Sequence, residues 1–269
     1  MRGFEAARRE TLRYHSAAFA ASDRGGHGWW ARPNRLVADA VDLATAAGVP
    51  VHAYDLGSGT GRHAILAAAR LPSGSRVTAV DVLPAALHLL AAGAQRAGVP
   101  DRVDTVVADI EEYTFPQPDA GLVVGFSVLE HARSPAALSA VLDRWRRATV
   151  PGGLHVIAVF ADRIEVGTQG ARPAIVECPL TAAQVRELLR AAYLGWDVLH
   201  ERTSASATTE TRHGQAYELR STLVGVIARA PSGCDGSANR ALRHCAIPDP
   251  MPTPTTHLPP TVATRGRAW

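Results

Sequence analysis

Five short apolar runs are interleaved with helical stretches between residues 51 and 230, and few folds accept that order. The runs are VHAYDL (51–56), RVTAVDV (76–82), VDTVVADI (103–110), AGLVVGFSV (120–128) and LHVIAVF (154–160). Helical signals fall between them. RHAILAAAR (62–70) follows the first run, and Pro84 stands where a first helical turn tolerates it. Ser134 and Pro135 read as N-cap and first-turn residues, and Thr181 with Gln184 fits a capping box. PGG at 151–153 reads as a turn before the fifth run. Such alternation buries a mostly parallel sheet between helices, which is the α/β class. WDVLHERT (196–203) and ELRSTLVGVIAR (218–229) have no helix between them, which predicts an antiparallel terminal hairpin and seven strands in all.

The flanks differ from this body. After Pro33, Leu36, Val37, Ala40, Val41 and Ala44 recur at helical spacing, so residues 1–50 are expected to be mainly helical. Residues 231–269 hold seven of the 18 prolines and no periodic apolar face, which predicts a disordered tail rich in Pro, Ser and Thr. The expected division is therefore 1–50, 51–230 and 231–269.

Charge distribution removes several function classes. All 28 basic residues are Arg, which excludes a phosphate-binding P-loop lysine or a Schiff-base lysine. Residues 51–230 carry 17 Arg against 18 acids, so the body is near neutral and argues against a nucleic-acid surface. Three cysteines without CxxC spacing suggest neither a disulfide framework nor a zinc site. No apolar run reaches the ~20 residues of a membrane span, and MRGFEAARRE lacks an apolar signal core. The expectation is a cytoplasmic protein with no metal and no membrane partner.

The stretch AYDLGSGTGRHA (53–64) carries the chemistry. Gly57, Gly59 and Gly61 stand G-x-G-x-G between the first strand and the first helix, letting backbone approach a ligand where helix N–H groups are free. A dinucleotide fingerprint would need its third glycine at position 62, which is Arg. Asp55, two residues before the loop, would repel a pyrophosphate and could accept from an ammonium or simply cap the loop.

On these residues the chain resembles the class I S-adenosylmethionine-dependent methyltransferases, whose first motif is D/E-x-G-x-G-x-G. The resemblance covers residues 51–230 and implies a Rossmann-like seven-stranded methyltransferase sheet under an N-terminal helical lid. It implies S-adenosylmethionine as cofactor, contacted by Asp55, Gly57, Ser58, Gly59 and Gly61. Asp81, followed by Val82, takes the place of the acid that holds the ribose hydroxyls. Asp109 and Ile110 take the place that reads adenine, with Glu111 and Glu112 as rivals. Phe126-Ser-Val-Leu-Glu130-His131 is similar to the family's F-x-x-L-E-H segment. The closest flavour is the small-molecule branch, of tellurite-resistance or natural-product type, which implies a small-molecule acceptor. The alternatives are a peptide or protein acceptor and a non-catalytic nucleotide-binding module; an NAD oxidoreductase is disfavoured by Arg62.

Catalytic candidates are His131, just past the fourth strand, and His213, before the last. Histidine titrates near neutral pH and suits general-base work, although many methyl transfers need only proximity, and His131 could instead pack beside the cofactor. Tyr14, Trp29 and Trp30, with Ser127 and His131, are the expected acceptor wall; in the flank, Tyr14-His15 and Trp29-Trp30 suit either stacking or stapling the lid. Arg144, Arg146 and Arg147 read as a solvated helix face.

Overall fold

The computed structural model describes residues 2–23, 32–212 and 214–232. Two helices come first: α1 (Arg2–Asp23) and α2 (Arg35–Ala46). Asn34 caps α2, its side chain accepting from the Leu36 N–H, and the helix buries the face Leu36, Val37, Ala40, Val41 and Ala44. Alternation then runs β1 (His52–Leu56), α3 (Arg62–Arg70), β2 (Arg76–Asp81), α4 (Pro84–Arg96), β3 (Val103–Val107), β4 (Ala120–Phe126), α5 (Pro135–Ala148) and β5 (Thr149–Gly167). The chain continues through β6 (Gly170–Pro173), α6 (Ala182–Ala192), β7 (Asp197–Arg212) and β8 (Gln215–Arg229).

The sheet order is β3-β2-β1-β4-β5-β8-β7, with β6 paired to β5 off that path. Pairings from β3 through β5 are parallel, while β8 runs antiparallel to both β5 and β7. The chain order reverses between β1 and β4. The crevice where ligands settle in open α/β sheets therefore opens at the carboxyl ends of these two strands. Two apolar layers sandwich the sheet, one built on Trp145, Leu129 and Leu142, the other on Leu36, Leu90 and Leu122.

Several expectations hold in detail. Ser134 accepts from the Ala137 N–H at the head of α5, and Thr181 with Gln184 closes a reciprocal capping box on α6. Others need correction. Among the described residues the sheet has eight strands, because exposed Gly170–Pro173 adds a short strand with no apolar alternation to announce it. β5 begins at Thr149, so PGG lies inside the strand at a register irregularity beside Ala120. β5 and β7 also outrun their apolar segments, to Gly167 and Arg212, because pairing with β8 satisfies their backbone whatever the side chains are. The tail 233–269 and the candidates Trp29, Trp30 and His213 lie outside the described residues.

Arg144 is not a solvated helix charge. Its guanidinium donates to the carbonyls of Ile110, Glu111 and Tyr113, fixing the loop after β3.

Candidate active site

The glycine loop joins β1 to α3. Gly57 has φ +79, and a Cβ there would come within 2.3 Å of Val128 Cγ2, so the loop lies against the segment after β4 only because the side chain is absent. Gly61 caps α3 in the left-handed region, where a Cβ would meet Leu90 at 2.3 Å. Beneath the loop, Asp55 is 2% exposed and its Oδ2 is buried with no hydrogen-bond partner. Burial pushes its pKa up to about 7, against the pull of the Ala64 N–H and Arg62.

A cavity of about 1040 Å³, counting its open mouth, lies over the carboxyl ends of β1, β2 and β4. Gly57, Ser58, Gly59, Asp81, Val82, Asp109, Ile110 and Phe126 line it, while Asp55 and Gly61 sit behind the wall. Asp81 is fixed by two backbone donors, Gly59 N–H at 2.8 Å and Leu83 N–H at 2.9 Å, and its oxygens keep further lone pairs for hydroxyl donors. Burial raises the Asp81 pKa, while those N–H groups oppose the rise. Asp109 is engaged differently: one oxygen accepts from Glu111 N–H and the other pairs with Arg8 of α1. Glu111 accepts from the backbone N–H and the guanidinium of Arg133.

Helix α1 supplies the roof. Arg8, Leu12, His15 and Phe19 line the cavity on successive turns of one face. The helix is held at distant points: Arg8 to Asp109, Thr11 Oγ1 donating to Glu177 at 3.1 Å, and the Tyr14 hydroxyl donating to Glu210. Burial, followed by this bond to a carboxylate, raises the Tyr14 pKa well above its ordinary value.

His131 stands at the inner end, where its Nδ1 lies 2.8 Å from Glu177 Oε2. A carboxylate only accepts, so Nδ1 carries the hydrogen and Nε2 holds the lone pair of the neutral ring. Glu177 is held below the usual carboxylate range: burial would raise it, but the bonds from His131 and Thr11 outweigh burial. The His15 ring meets His131 edge-on at 5.9 Å, and burial above all lowers the His15 pKa to about 3, which keeps it neutral. Ser127 has φ 55, a strained conformation for a residue with a Cβ, and its Oγ donates to buried Glu130 at 2.9 Å.

A second cavity of about 820 Å³ adjoins the first and shares Thr11, Tyr14, His15, Ser127 and His131 with it. Its far walls come from β5, β7 and β8 and include Arg163, Glu165, Glu210, Arg212 and Tyr217. Sequence reading missed this wall and Glu177. The only available signal was charged and hydroxyl residues recurring at every second position of 206–212, which marks one face of a strand. Among the described residues no group of three His, Cys, Asp or Glu could hold a metal ion, and no helix is long and apolar enough to cross a membrane.

The residues at the first cavity fit S-adenosylmethionine on chemical grounds. Asp81 offers acceptors to a diol, Val82, Ile110 and Phe126 offer apolar surface to a flat base, and Ser58 Oγ is buried without a partner. Residues 53–153 match a family model described as a methyltransferase domain. None of the curated proteins matches the chain. Among solved structures, TehB from Haemophilus influenzae is similar at TM-score 0.55 and 18% identity, covering 71% of this chain and 61% of its own. The chain thus spans about 61% of the length of TehB. The [4+2]-cyclase SpnF is similar at TM-score 0.56 and 19% identity, covering 83% of this chain and 95% of its own. A possible exported protein from Bordetella parapertussis gives 0.51 and 15%, covering 73% and 67%. At such identities these likenesses show a shared fold. The matched family model spans β1 to the start of β5, so residues 53–153 carry a methyltransferase domain on the fold shared with these structures.

Proposed function

We propose that the protein transfers a methyl group to the oxygen, nitrogen or carbon of a small molecule held in the second cavity. The observation that carries this reading is the junction of the two cavities at Tyr14, Ser127 and His131. About 820 Å³ suits a compact ligand, and α1 above with β7 below leaves a folded protein acceptor little access. When bound, S-adenosylmethionine supplies an electrophilic methyl on a sulfonium.

This chain's residues do the rest. Asp81 and the glycine loop hold one partner, the walls of the second cavity hold the other, and α1 excludes water. Alignment and dehydration of two reactants contribute up to ~7–11 kcal/mol in favourable cases. His131, oriented by Glu177, takes the proton of a hydroxyl or carbon acid at Nε2. In this reading residues 1–50 act as the lid, 51–230 form the methyltransferase domain, and the setting is cytoplasmic.

The test is labelled-methyl transfer from S-adenosylmethionine to a panel of phenols, amines and carboxylic acids beside a panel of peptides. Label in at least one small molecule is expected. Label confined to peptides would replace this reading with the peptide one.

A further inference from the structure

We propose that Arg163 anchors a carboxylate group of the acceptor, an assignment that rests on the second cavity being the acceptor site. The β5–β8 pairing is irregular here. β5 pairs with β8 as Ala161↔Thr222 and then Ile164↔Arg220, so Asp162 and Arg163 together face Ser221 alone. Asp162 takes φ 49, a left-handed conformation that costs a non-glycine residue. Two contacts hold it there: its N–H donates to the Leu180 carbonyl at 3.0 Å, and its Oδ2 accepts from Ala182 N–H at 3.2 Å. Bulges of this kind turn a side chain away from its regular direction. Here the turned side chain is Arg163, which lines the second cavity.

Arg163 is unlike the other charged groups of that wall. Glu165 accepts from Arg172 at 3.0 Å and from Arg212 at 2.8 Å. Arg212 also reaches Glu10 at 3.4 Å. Glu210 accepts from Tyr14 and Thr208. The Arg163 guanidinium donates no hydrogen bond among the described residues, although its side chain is only 20% exposed and its Nε is fully buried. Its nearest carboxylate oxygen, Glu130 Oε1, lies at 3.8 Å and already accepts from Ser127.

A guanidinium so far out of water, with its donors unspent, is costly until an anion arrives. Its planar fork matches the two oxygens of a carboxylate better than a single hydroxyl. Glu165 and Glu210 on the same wall oppose an anion elsewhere in the cavity, which confines the carboxylate to Arg163. His131 and Tyr14 line the same cavity, so a ligand held at Arg163 is presented to them.

The experiment uses the full chain saturated with S-adenosylhomocysteine and three probes of one shape: 3-phenylpropionate, 3-phenylpropanol and 3-phenylpropylamine. Calorimetry is expected to give the carboxylate about tenfold tighter binding than the alcohol, and the amine the weakest. Arg163→Gln should bring carboxylate and alcohol within about threefold of each other, and Arg163→Lys should restore part of the preference, with S-adenosylhomocysteine affinity unchanged. Equal binding of the three probes to the wild type, a preference for the amine, or no binding of any probe would overturn the assignment without any variant being needed. Failure of S-adenosylhomocysteine to bind would instead remove the reading beneath it, and the assignment with it.

Discussion

His131 and Glu177 are joined by a 2.8 Å hydrogen bond whose carboxylate side has no exposed side-chain surface. The pairing ties a residue beside β4 to a loop before α6, and both cavities meet at its histidine. If the acceptor is a hydroxyl, His131→Ala should lower kcat by ~10²–10⁴ and leave cofactor affinity nearly unchanged. Steady-state kinetics with calorimetry of S-adenosylhomocysteine decides it. A variant that lost the cofactor instead would make His131 part of the cofactor wall.

Glu177 also gives a prediction that needs no acceptor. A carboxylate held below its unfolded pKa contributes stability that is present above that pKa, ordinarily 4.5, and is lost as the pH falls through the lower folded value. Wild type should therefore exceed Glu177→Gln in urea stability near neutral pH, with the gap narrowing below about pH 4.5. A gap constant from pH 7 to pH 3 would show that no such linkage exists.

Asp55 should behave in the opposite sense. Its folded pKa of about 7 lies above the ordinary 3.8, so the folded state binds more protons between those values and stability falls as pH rises through them. Asp55→Asn keeps an oxygen for the Ala64 N–H and removes the charge. It should flatten this slope and gain up to ~4 kcal/mol above pH 7 in the ligand-free protein. Parallel pH profiles for variant and wild type would sink the idea.

Gly57→Ala should be severe for two separable reasons. The left-handed backbone costs roughly 1–3 kcal/mol, and the new methyl collides with Val128. Adding Val128→Ala should recover part of the lost melting temperature but not all. Full recovery would mean that the backbone conformation carries no cost.

Tyr14→Phe removes one tie between α1 and β7 and leaves the Arg8 and Thr11 ties in place. Amide exchange should quicken in α1 by about three- to tenfold while the strands keep their protection. Unchanged exchange would mean that the Glu210 bond contributes nothing to holding the roof.

The β–α order, the helical face from Leu36 to Ala44 and the caps at Ser134 and Thr181 are local, and the sequence carries them on its face. So does the glycine loop, because positive φ and close approach leave glycine a nearly unique choice. Arg163 and Glu177 were not legible. A strand made of Ser-Ala-Ser-Ala-Thr-Thr has no apolar alternation, and its partner in β8 satisfies it only once the sheet is assembled. Glu177 acquires meaning from a histidine 46 residues away. Asp109 shows the complementary gap: position alone pointed to a ligand, while its charge is matched by Arg8, 101 residues earlier.

Those spans say something about how the protein is made. The roof helix is synthesised before all of its anchors, which lie 101, 166 and 196 residues downstream. Until β7 has been synthesised, α1 lacks the last of these anchors, the bond from Tyr14 to Glu210. Contacts of such long sequence separation form slowly, so closure of the site is expected late in folding. A nascent chain halted before β7 would hold its glycine loop under a roof tied only through Arg8 and Thr11.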